Sequence, residues 1–126
     1  MPTPPSFRVI TVKNLIKADI EGLWNAASDI GYLTDLSQAM SNMRNRKWGL
    51  VVDMRGWFIT EEMLNFKQKT ILHLDRRNQE LECWIVDDMS QGKHLFHYVE
   101  KTGIPFKRSL TVKSADTWLK QYGYSL

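Results

Sequence analysis

Three aspartates stand where apolar runs stop. Asp53 closes Trp48-Gly49-Leu50-Val51-Val52, and Asp87 and Asp88 follow Cys83-Trp84-Ile85-Val86. Carboxylates gathered at one edge of a sheet supply the hard oxygen ligands that magnesium needs, or a phospho-acceptor. Asp53, Asp87 and Asp88 therefore form one candidate site. Asp53 also has a structural reading, as a strand-end carboxylate accepting backbone N–H bonds before a turn that Gly56 permits. Asp and Ser favour turns and caps, so Asp87, Asp88 and Ser90 have the same alternative.

The loop after Asp53 adds Arg55, Gly56, Trp57, Phe58 and Thr60. Large apolar side chains in a loop either fold back under a helix or line a pocket or partner site, and Trp57 and Phe58 carry both readings. His94 and His97, three apart on an expected helix, have a spacing that suits zinc, but no nearby Cys or Glu completes a HExxH-type set. Neither a Gly-x-Ser-x-Gly elbow, a Walker loop nor a dinucleotide glycine fingerprint occurs. No metal or other cofactor is assigned, and a binding module is favoured over an enzyme.

The elements that must position these residues form one domain. A chain of 126 residues suits a single core. Residues 1–6, rich in proline, read as a mobile tail, and 7–126 as the domain. The longest apolar runs are far shorter than the roughly 20 residues of a membrane span. A lone cysteine, Cys83, and a start without a basic, apolar leader suggest a cytoplasmic protein with no membrane insertion. The net charge of +3 is spread along the chain, and its densest groups, Arg44 to Lys47 and Arg76-Arg77, fall at expected helix ends. No nucleic-acid partner is expected.

Phe7 to Val12 and Leu15 to Ile20 alternate apolar with polar around Lys13-Asn14, which predicts an antiparallel hairpin. Asn25 caps a helix with Ile30, Leu33, Leu36, Met40 and Met43 on its buried stripe, running to about Arg44. Trp48 to Val52 is apolar throughout, as a strand covered on both faces must be, and is the candidate sheet centre. Thr60 caps a second helix, with Glu61 and Glu62 in its first turn. Its stripe is Met63, Phe66, Thr70, Ile71 and Leu74, and Arg76-Arg77-Asn78 closes it. Strand Glu82 to Val86, helix Lys93 to Lys101, strand Phe106 to Val112 and helix Ala115 to Tyr122, capped by Ser114, follow.

The order β-β-α-β-α-β-α-β-α defines an α/β mixed sheet: an antiparallel hairpin, then parallel strands joined by right-handed crossovers, with helices packed on the sheet. A response-regulator receiver, which the three aspartates resemble, instead opens with a βα unit that supplies its acidic pair.

This order, the segment Trp48-Gly49-Leu50-Val51-Val52-Asp53-Met54-Arg55-Gly56-Trp57 and the closing Ser114-Ala115-Asp116-Thr117-Trp118-Leu119 resemble the SpoIIAA-like branch of the STAS fold. The resemblance spans nearly the whole chain beyond the tail. It implies a non-enzymatic regulatory module, as in anti-sigma-factor antagonists and many small bacterial proteins. In the antagonists a phosphorylatable serine opens the helix after the central strand. Here Thr60 is the hydroxyl at that place, and a phosphate on it would meet Glu61 and Glu62, so it reads as an N-cap. The expected function is binding of a protein partner or a small ligand at a strand-end face of Asp53, Arg55, Gly56, Trp57, Phe58, Thr60, Asp87, Asp88 and Ser90. That face should expose an apolar patch at Trp57. Self-association as a homodimer is a further expectation.

Overall fold

Lys13, with φ of 55°, turns the chain between Ser6–Val12 (β1) and Leu15–Leu23 (β2), which pair antiparallel from Ser6↔Glu21 to Val12↔Leu15. The hairpin is the one expected. The computed structural model describes residues 3–69 and 74–126, with backbone alone at 66–69.

Asn25 is extended, and its Oδ1 accepts from Ser28 N at 2.8 Å, starting α1 (Ala26–Asn42). Tyr32, Leu36 and Met40 lie buried four residues apart, followed by Met43. Ile30, expected on this stripe, is 53% exposed; Asp29 takes the core-facing position instead and accepts from Trp24 Nε1 at 3.1 Å. Helical phase, not residue polarity, decides which of the two neighbours turns inward.

The chain continues through β3 (Trp48–Asp53), β4 (Trp57–Phe58), α2 (Glu61–Lys69), β5 (Gln79–Ile85), α3 (Lys93–Glu100), β6 (Phe106–Ser109) and α4 (Val112–Lys120). The sheet order is β1-β2-β3-β5-β6, and β2, β3, β5 and β6 are parallel. The fold is thus an α/β mixed sheet with an antiparallel hairpin at one edge, and β3 is its middle strand, as the apolar run predicts. The two-residue β4, too short to read from sequence, pairs in parallel with β2 through Gly22↔Trp57 and Leu23↔Phe58.

Each crossover from β2 to β3, β5 and β6 moves one strand in the same direction, so right-handedness puts all the linking helices on one face. Accordingly α1, α2 and α3 cover a core that includes Ile16, Trp24, Leu50, Val52, Met63, Trp84 and Val99. The terminal α4 is left to cover the other face, where Ala115 and Leu119 meet Val51, Leu81 and Cys83. Buried among these, the Cys83 thiol is pushed up to about 11.

Several boundaries differ from expectation, and β2 runs on to Leu23. Strand β5 starts at Gln79, because Asn78, with φ of 66°, turns the chain there. Arg76-Arg77-Asn78 forms that turn and closes no helix: Arg77 is forked onto Asp75, with Nε to Oδ1 at 3.0 Å and Nη2 to Oδ2 at 2.7 Å. The expected stripe positions Thr70 and Ile71 lie outside the described residues, as does the Phe66 side chain. Strand β6 stops at Ser109, and Thr111 rather than Ser114 caps α4, its Oγ1 accepting from Ser114 N at 3.0 Å. At the other end, Thr3 O accepts from Leu23 N at 3.0 Å, which ties Thr3 to the end of β2.

Candidate functional site

The strand-end residues do come together, but they bind one another. Arg55 forks onto Asp53, with Nε to Oδ1 at 3.0 Å and Nη2 to Oδ2 at 2.7 Å. Gly56 N donates to Asp87 Oδ2 at 2.6 Å, and Gly56 holds φ of 75°, a value that favours glycine. Asp87 N in turn donates to Gln91 Oε1 at 2.8 Å, while Gln91 Nε2 donates to Met54 O at 2.6 Å. Asp88 closes on its own loop, accepting from Ser90 N at 2.9 Å and Ser90 Oγ at 2.5 Å, which holds its carboxyl below the usual range. Thr60 Oγ1 accepts from Met63 N at 3.1 Å, the N-cap its position predicts.

The three aspartates are thus spent on loop geometry, and no group of three His, Cys, Asp or Glu among the described residues is placed to hold a metal ion. The topology supplies a reason. Ligand crevices at strand ends open where the strand order reverses and helices pass to opposite faces. Here the crossovers never reverse.

Trp57 is also not where an exposed patch requires it. It is 4% exposed, edge-on to Trp24 with ring centroids 6.1 Å apart and stacked on His94 at 5.8 Å. Pairing with β2 turns its side chain inward and sends Phe58, the next residue on the strand, outward to 64% exposure.

Inside, Trp57 helps line a cleft of about 850 Å³ between α1 and α3. Leu50 and Val52 of β3 and Trp84 of β5 form its floor, Tyr32, Leu33 and Leu36 one wall, and His94, Leu95 and Tyr98 the other. Leu64 of α2 and Leu74 also line it. Gly92, with φ of 75°, starts α3 close over the floor, where a Cβ would stand 2.8 Å from Trp84 Cζ3. Arg108 anchors the neighbouring strand, its guanidinium 5.1 Å from both the Trp84 and Phe96 rings and its Nε donating to Gln91 O at 3.2 Å.

A polar cluster is set into the apolar floor. Glu82, 2% exposed, accepts at Oε1 from Arg76 Nη1 at 2.7 Å and Gln79 Nε2 at 2.9 Å, and at Oε2 from Trp84 Nε1 at 2.7 Å. Burial, reinforced by the Glu82 charge, raises the Tyr32 phenol well above its ordinary value, so it enters the cleft as a neutral hydroxyl. His97 and Lys101, both exposed, stand four residues apart at the mouth, a spacing that shares one helical face.

No protein-family model matches this chain, and no curated protein or solved structure matches it either. The site must therefore be read from its own chemistry.

Sequence reasoning placed the site one layer away from this cleft. It found Trp57 and the His94/His97 pair, but not Arg76, Glu82, Gln79 or Tyr32. Glu82 did carry a signal, as a carboxylate beside the apolar run Cys83 to Val86. An acid in a buried strand needs partners, and those partners mark the cleft.

Proposed function

We propose that this protein is a non-enzymatic SpoIIAA-like module that binds a small, largely apolar ligand in the cleft between α1 and α3. The observation that carries this reading is the cleft itself: about 850 Å³, apolar floor and walls, and one compact polar cluster at Glu82. Ligand sites are typically concave, mostly apolar, roughly 300–1,000 Å³ in volume, and oriented by a few fixed polar groups. The hairpin followed by parallel strands supports the SpoIIAA-like assignment. A binding role suits the chemistry, because Glu82 already carries three donors and is not poised to move a proton. A protein partner at the strand ends is a second reading, for which Phe58 and Leu23, exposed side by side, supply the apolar surface.

N-phenylnaphthylamine, an uncharged dye that fluoresces in apolar surroundings, tests the cleft. Saturable one-to-one uptake by the native chain is expected, with loss of uptake in Leu33→Trp, which fills the mouth from α1. Absence of saturable uptake, or uptake unchanged in a folded Leu33→Trp, overturns the reading.

A further inference from the structure

We infer that the cleft selects a ligand with an anionic head, specifically a medium-chain monocarboxylate whose carboxylate sits at the mouth and whose chain lies over the floor. This rests on the cleft being a ligand site and goes further by fixing the ligand's charge and polarity.

Charge is divided between mouth and interior. The acids among the described lining residues are Asp29 and Glu82, which are 1% and 2% exposed. Glu82 is already surrounded by donors. The cations reach outward: Lys101 is exposed, and the Arg76 side chain keeps 20% of its surface open. A ligand entering therefore meets basic side chains first and apolar surface behind them.

Arg76 provides the specific contact. Its Nη1 is committed to Gln79 Oε1 at 2.8 Å and Glu82 Oε1 at 2.7 Å, while Nε and Nη2 have no partner among the described residues. Those two N–H groups present the planar fork that takes a carboxylate through two parallel hydrogen bonds. Glu82 holds the guanidinium still, so little side-chain freedom remains to be lost on binding. Lys101 adds a longer-range attraction that salt should screen. An amine head would face Arg76 and Lys101, with no accessible carboxylate among the described lining residues to receive it. An alcohol head gains no charge-assisted bond. Leu33, Leu50 and Leu95 offer the chain only apolar contacts.

Competition against bound N-phenylnaphthylamine, using the full chain, separates these cases. Decanoate is expected to displace the dye at about tenfold lower concentration than decanol or decylamine, with the advantage shrinking as salt rises. Lys101→Glu, an exposed change that leaves the core intact, should weaken decanoate by about threefold and leave decanol unchanged. Arg76→Gln should erase the preference, and Lys101→Glu decides the matter if that variant fails to fold. Decanol or decylamine equalling or exceeding decanoate overturns the inference while the dye result upholds the cleft, and so does displacement by none of the three. Failure of the dye to bind at all overturns both.

Discussion

Trp84 Nε1 donates a 2.7 Å hydrogen bond to Glu82 Oε2, joining two side chains that share one face of β5. With Arg76 and Gln79 on Oε1, this bond makes a buried carboxylate tolerable in a central strand. Alternation along the strand aims both residues at the α1–α3 cleft, where one supplies polarity and the other apolar floor.

Removing Glu82 should therefore cost far more than an exposed ion pair. Glu82→Ala leaves the Arg76 guanidinium without its carboxylate and Trp84 Nε1 without an acceptor, and the expected loss is about 3–5 kcal/mol. Asp53→Ala, which breaks a pair whose Arg55 side chain is 44% exposed, should cost about 1 kcal/mol or less. Urea denaturation midpoints check both, and equal losses would refute the contrast.

Adjacent residues in β4 should behave oppositely. Trp57→Ala opens a void between Trp24 and His94 and should lose about 3–5 kcal/mol. Phe58→Ala, at 64% exposure, should stay within about 0.5 kcal/mol. Thermal unfolding of the two variants reads the difference directly. A mild Trp57→Ala would mean that the indole is not packed as described.

Alkaline pH should destabilise the fold through Cys83. The unfolded thiol ionises near 9.0, whereas the buried one keeps its proton up to about 11. Its contribution is therefore fully present below pH 9.0 and is lost as pH rises towards 11, by about 3 kcal/mol at most. Denaturation of the native chain and Cys83→Ala on either side of this window isolates the thiol. The variant should show a shallower decline, and parallel declines would remove Cys83 as the cause.

Much of the architecture was legible in the sequence because it follows from local periodicity. Alternation around Lys13-Asn14 specified the hairpin, the unbroken run from Trp48 specified a strand buried on both faces, and Asn25 and Thr60 marked helix starts through their side-chain oxygens. Asp53, Arg55, Gly56 and Asp87 were also rightly grouped, since strand ends in a parallel sheet lie at one edge. What those residues do there was not legible. Arg55 closing on Asp53, and Gly56 N meeting Asp87 across 31 positions, depend on how β3 and β5 stand beside each other.

The sequence by itself determined the opening hairpin, the alternation of helices and strands apart from the two-residue β4, the central strand and the apolar character of the interior. Tertiary structure alone decided that Asp29 rather than Ile30 turns inward, that Trp57 is buried while Phe58 is exposed, and that Arg76 meets Glu82 beneath a cleft. The physical reason is that periodicity is a property of neighbours along the chain, whereas strand pairing and crossover direction act between distant segments. One two-residue pairing with Gly22-Leu23 sets the side-chain direction of Trp57, and crossovers that never reverse put α1 and α3 on the same face of the sheet, where both line the cleft.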